Sequence, residues 1–100
     1  MTTADAGLRL RPRLVFVFDP RSGRCRRVEA FIASILQRRG NHRTFSLARI
    51  SSEERPELVE HFHVQRFPTL LVVEGTRLGG RLEDPVGVPE IEAFLAPWLR

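Results

Sequence analysis

An apolar run, Leu14-Val15-Phe16-Val17-Phe18, breaks at Asp19-Pro20 and passes directly into Arg21-Ser22-Gly23-Arg24-Cys25-Arg26-Arg27-Val28-Glu29. No other junction limits the fold of this chain as tightly. A β-branched and aromatic run without polar alternation suits a strand buried on both faces, the habit of a sheet covered by helices. Pro20 ends the run, because proline lacks a ladder donor and drives the residue before it out of helical space. Beyond it, Val28, Ile32, Ile35 and Leu36 recur on one helical face, widened by Phe31, and predict a helix over 22–39. Ser22 is a suitable N-cap, which puts Cys25 in the first turn, and Gly40-Asn41 closes the helix.

The remaining elements follow from local signals. Residues 43–50 alternate and predict a second strand, with Phe45, Leu47 and Arg49 on one face. Ser51 with Glu54 matches a capping box, Pro56 suits a first turn, and a short helix with Leu58, Val59 and Phe62 inward follows. Pro68 opens a third strand, Thr69 to Val73, and Glu74-Gly75 turns the chain into a fourth, Arg77 to Leu82. Gly79-Gly80 marks a bulge or a close backbone approach. Pro89 starts a last helix carrying Ile91, Phe94, Leu95 and Trp98 inward, with Pro97 fraying its end. The expectation is one α/β domain over 13–100, in the order β-α-β-α-β-β-α, behind a flexible tail over 1–12.

Composition narrows the function classes. The formal charge of +4 is carried by sixteen arginines and no lysine. Arginine suits planar, bidentate anion contacts, yet a surplus of four is modest and no nucleic-acid-binding motif accompanies it, so nucleic acid is not the expected partner. The apolar runs are too short to span a bilayer, and the first residues lack a signal peptide's pattern; the expected compartment is the cytoplasm, without membrane association. His42, His61 and His63 do not form metal-ligand spacing with Cys25, and no metal or cofactor is expected. A single cysteine permits no intramolecular disulfide, so the chain cannot cycle a dithiol by itself.

Two stretches, and the order of elements around them, resemble the thioredoxin family over nearly everything after residue 13. Strand, then Arg21-Ser22-Gly23-Arg24-Cys25-Arg26, is similar to the family's W-C-G-P-C-[KR]. His63-Val64-Gln65-Arg66-Phe67-Pro68-Thr69-Leu70 is similar to its G-V-x-x-[IVF]-P-T-L, whose proline follows a cis peptide bond beside the active cysteines. The resemblance implies a minimal thioredoxin-like fold, a four-stranded mixed sheet with helices on both faces, lacking most of the family's extra N-terminal strand and helix. It puts Ser22 at the position of the nucleophilic cysteine, Cys25 at the second cysteine, Arg24 at the active-site proline, Arg21 at the tryptophan and Phe16 at a buried acid; Gly23 matches.

Disulfide exchange needs an accessible thiolate and a second thiol that releases the mixed disulfide. Serine cannot supply the first, so general disulfide reduction is not expected. Two readings of Cys25 stand side by side: a small buried hydrophobe, or a single thiol able to form a mixed disulfide. The flanking Arg21, Arg24, Arg26 and Arg27 and the helix N-terminus favour an anion there, each by about 0.3–1 kcal/mol at an exposed site. They would also suit the carboxylates of glutathione or of an acidic peptide. The resemblance makes Phe67, Pro68 and Thr69, with Arg21, Gly23 and Arg24, the expected binding residues for an extended protein or peptide segment. The leading expectation is protein or peptide binding, or a single-thiol role; the alternative is an atypical oxidoreductase using Cys25 with glutathione or another thiol.

Overall fold

The computed structural model describes residues 11–100. Seven elements follow one another: β1 (Arg13–Phe18), α1 (Gly23–Arg38), β2 (Ser46–Ser51), α2 (Pro56–His61), β3 (Thr69–Glu74), β4 (Arg77–Glu83) and α3 (Val88–Leu95). The four strands form one mixed sheet in the order β2-β1-β3-β4. β1 runs parallel to β2 and antiparallel to β3, and the β3–β4 pair is a hairpin. This is the expected α/β arrangement.

Alternation along β1 and β3 builds two cores. Leu14, Phe16, Leu70 and Val72 face α1 and α3 and meet Val28, Ile32, Ile35, Ile91 and Leu95. Val15, Val17 and Leu71 face the other way, toward Leu58, Val59 and Phe62 around α2. The central strands are therefore buried on both sides, which is why Leu14–Val17 read as an unbroken apolar run. β1 ends where β3 begins, with Val17 opposite Thr69. The Ser22–Cys25 turn and the Phe67–Thr69 segment thus emerge at one end of the sheet.

Several local expectations are corrected. β2 begins at Ser46, because Thr44 is taken up in a turn: its amide donates to Asn41 O at 3.2 Å and its hydroxyl to Asn41 Oδ1 at 2.5 Å. Phe45 is buried ahead of the strand, whereas Leu47, expected on the same face, is 63 % exposed on the sheet edge. Ser51 Oγ accepts from the Glu53 and Glu54 amides at 3.2 and 3.4 Å and so caps the turn after β2, not the helix. α2 starts two residues beyond that box at Pro56, with Arg55 as an N-cap whose side chain makes no capping bond. Of the expected tail, residues 1–10 lie outside the described residues. Pro12 is buried and its carbonyl accepts from the Ser46 amide at 2.9 Å. No helix among the described residues is long and apolar enough to cross a membrane.

Both meanings offered by Gly79-Gly80 are realised. Val72 pairs with Gly80 and Val73 with Leu78, leaving Gly79 as the extra residue of a bulge. A Cβ on Gly80 would come within 3.0 Å of the Phe94 ring and 3.2 Å of Trp98. Trp98 Nε1 donates to Glu74 Oε2 at 2.9 Å, and Arg77 pairs with the other carboxylate oxygen at 3.3 Å. The indole bond first, and Arg77 second, hold the Glu74 carboxyl below its ordinary pKa. A carboxyl lowered in the folded state contributes its stabilisation in full above its unfolded pKa and loses it as pH falls through the folded one. Acid titration is therefore expected to change Trp98 emission below the usual carboxylate range, and Glu74→Gln should remove that step; an unaltered step would assign it to another group.

Candidate functional site at the strand-to-helix turn

Asp19 organises the turn. Its carbonyl accepts from the Ser22 amide at 3.0 Å, its Oδ1 from the Arg21 amide at 2.9 Å, and its own amide points at Cys25 Sγ, 3.5 Å away. Ser22 is extended, with φ −95° and ψ 119°, and its hydroxyl accepts from the Cys25 amide at 3.2 Å. It is the N-cap that the sequence predicts, and one orphan amide of the first turn is satisfied by it. Cys25 itself is 1 % exposed. It lies in the apolar cluster with Phe16 and Val28, against which Phe67 packs from the far side of the turn.

The four arginines do not converge on the thiol. Arg21 Nε pairs with Glu53 at 2.8 Å, and Arg24 Nη2 with Asp84 at 3.1 Å and the Pro85 carbonyl at 3.4 Å. Both guanidiniums are committed to groups of this chain. Arg26 remains on the wall of a cleft of about 370 Å³ whose lining includes Cys25, Phe18, Glu29 and Arg49. Arg49 grips Glu29 through two bonds, 2.6 and 3.1 Å, with its guanidinium 4.5 Å above the Phe18 ring. Gly23 is half-buried in the first turn, and a Cβ there would meet only arginine side-chain ends.

The Phe67–Pro68 peptide bond is cis. Pro68 is buried, and its carbonyl accepts from the Asp84 amide at 2.8 Å. Asp84 stands at φ +50°, a left-handed position that Asp tolerates better than most residues. It therefore bonds Pro68 through its amide and Arg24 through its carboxylate, tying the helix start to the start of β3. Thr69 is fully buried, and its hydroxyl donates to the Arg66 carbonyl at 2.7 Å. Among the described residues, Phe67 finds no backbone partner for its amide or carbonyl. Gln65 and Arg66 are exposed and Phe67 is half-buried.

The sequence did not single out Asp19 as the thiol's neighbour, nor Asp84 and Glu53 as the partners that engage Arg24 and Arg21. Asp19 carried a signal, since Asp-Pro followed by a cap residue favours an Asx turn. The two ion pairs join residues far apart in the chain, and no local pattern reports them.

Solved structures with this architecture are thioredoxins and thioredoxin-like proteins. The germline-specific thioredoxin Deadhead of Drosophila melanogaster superposes with a TM-score of 0.77 at 13% identity, covering 96% of this chain and 90% of its own. A Fasciola hepatica thioredoxin gives 0.76 at 12% identity, over 95% and 88%. The protein Trxlp from Edwardsiella tarda gives 0.74 at 14% identity, over 100% and 96%. No protein-family model matches the sequence, and no curated protein matches it. The chain thus has a minimal thioredoxin-like fold carrying one cysteine, on the first turn of α1.

Proposed function

We propose that this protein is a thioredoxin-like binding module that takes up an extended protein or peptide segment against residues 65–68, beside the Ser22–Cys25 turn, and that it is not a general disulfide reductase. The observation that carries this is the mismatch between exposure and chemistry at the turn. The less buried position of the pair holds Ser22, half-buried and with its hydroxyl spent on the Cys25 amide, while the thiol is 1 % exposed. An accessible thiolate is what starts exchange, and here the position nearer the surface carries a serine oxygen instead. Next to it, on the bend that leads into β3, Phe67 has an amide and a carbonyl without a backbone partner among the described residues, the groups that strand addition uses. Selection of peptide binders against the full chain tests it. Binders are expected to survive Cys25→Ser and to be lost with Phe67→Asp. Recovering none, or only binders that vanish with Cys25→Ser, would overturn the reading.

A second reading is favoured by the cleft that Cys25 lines. A small disulfide entering it could be attacked by the Cys25 thiolate, forming a mixed disulfide and releasing one thiol, as with oxidised glutathione. Native-state mass spectrometry after exposure to oxidised glutathione distinguishes the two readings: one added glutathione per chain supports single-thiol exchange, and an unmodified chain supports binding alone.

A further inference from the structure

A broad cleft lies at the opposite pole from Cys25, separated by the length of β1, roughly 20 Å for a six-residue strand. It encloses about 800 Å³ between the chain entering β1 and the C-terminal segment. Arg11, Arg43 and Arg100 line it together with Pro12, Pro97 and Trp98, and among the described residues no acidic side chain does so. Among the described residues, eight arginines elsewhere have acidic partners, Arg21, Arg24, Arg38, Arg39, Arg49, Arg55, Arg77 and Arg81, while Arg13, Arg26, Arg27 and Arg66 have none but do not line this cleft. Among the described residues, none of the three cleft arginines has one. Glu74, which reaches the Trp98 indole nitrogen, is paired with Arg77 and does not line the cleft. Among the described residues, the side chains of the lining carry a cationic surplus.

The cleft is also built rather than incidental. Buried Asn41 accepts at Oδ1 from the Thr44 hydroxyl and the Arg100 amide, at 2.5 and 2.9 Å. Its Nδ2 donates to the Arg39 and Arg100 carbonyls at 2.8 and 3.3 Å. One amide side chain thus fixes the helix end, the turn before β2 and the C-terminal segment relative to one another. Arg43 and Arg100 are carried on backbone held by these bonds, and Arg11 is steadied by its bond to the Phe45 carbonyl at 3.3 Å.

We propose that this cleft binds a small multivalent oxyanion, a phosphate ester or a polycarboxylate, through Arg11, Arg43 and Arg100. Guanidiniums bind both anions bidentately, and three on one preorganised wall suit a ligand with several negative oxygens. Trp98, Pro12 and Pro97 supply apolar surface for the body that carries them. The proposal does not depend on the function of the Cys25 pole.

Trp98 is the only tryptophan and the chain has no tyrosine, so intrinsic emission reports directly on this cleft. The full-length protein is titrated with pyrophosphate in one arm and citrate in another, against sodium chloride at equal ionic strength, because screening alone alters exposed charges. A saturable change beyond the salt control is expected in at least one arm; the arm that responds assigns phosphate or carboxylate chemistry. Arg43→Ala, at an exposed position, should weaken that response about tenfold, the loss of one charge-assisted contact. Arg27→Ala at the other pole should leave it unchanged. A change no larger than that of sodium chloride, or a response that Arg43→Ala does not weaken, would overturn the proposal.

Discussion

Replacing Ser22 with cysteine is expected to turn a chain that cannot turn over protein disulfides into one that can. The wild type has a buried thiol and a half-buried hydroxyl, and a serine hydroxyl does not ionise near neutral pH. In Ser22→Cys the new thiol would occupy the half-buried N-cap, where helix amides favour an anion. Cys25 lies one helical turn below it, with its amide 3.2 Å from the present Ser22 hydroxyl, in position to release a mixed disulfide from within the molecule. Well-placed intramolecular attack has effective molarities far above any external thiol. The mixed disulfide should therefore be released at least about 100-fold faster than by millimolar dithiol in solution. Losing the serine cap costs about 1 kcal/mol, too little to unfold the domain. Reduction of a protein disulfide, followed by precipitation of the released chain with a dithiol as electron donor, reads the result. The wild type should match the blank and Ser22→Cys should exceed it. A folded Ser22→Cys protein that stays at the blank would show that more than the missing thiol keeps this turn inactive, and a wild type above the blank would end the binding-module reading.

What could be read in the sequence was what neighbouring residues decide among themselves. The break at Asp19-Pro20, the Ser22 cap and the stripe of Val28, Ile32, Ile35 and Leu36 all act within one turn or one helix, and the structure has them as expected. Gly79-Gly80 announced a bulge or a close backbone approach, and the strand has the bulge at Gly79 and the close approach at Gly80. What escaped depends on contacts across the fold. Four arginines around a cysteine suggest a cationic ring, yet two of them turn to Glu53 and Asp84, which arrive from other elements. Leu47 and Phe45 share a period-two pattern but not a fate, because β2 is an edge strand and only the residue before it is drawn under Trp98. The Ser51-x-x-Glu54 pattern was a real cap attached to the wrong element, since hydroxyl-to-amide bonds serve turns as well as helices. The arginine cleft was invisible for the same reason: Arg11, Arg43 and Arg100 are brought together only by the way the sheet and the C-terminal segment close.

Phe45→Ala should be the most damaging single truncation outside the central strands. The ring is 2 % exposed and belongs to the cluster beneath α1 and α3, with Leu14, Leu36 and Leu95 among its members. Its centroid lies 6.4 Å from that of Trp98, the planes tilted by 60°, so it links the approach to β2 to the C-terminal segment. Its neighbours cannot close the gap cheaply. β1 is held by strands on both sides, and the backbone around residue 45 is fixed by Asn41 on one side and by the Ser46–Pro12 bond on the other. A large cavity that cannot collapse puts the cost near the top of the range for this substitution, about 3–5 kcal/mol. In a domain of this size that lowers the melting temperature by more than about 12 °C. Phe45→Leu, which keeps most of the volume, should lose less than half as much. Urea unfolding followed by Trp98 emission and by far-ultraviolet circular dichroism measures both variants, and the two probes should coincide if the change is in stability alone. A loss under about 1 kcal/mol for Phe45→Ala would mean that the C-terminal segment can close over the space, and that Phe45 does not tie the two parts together.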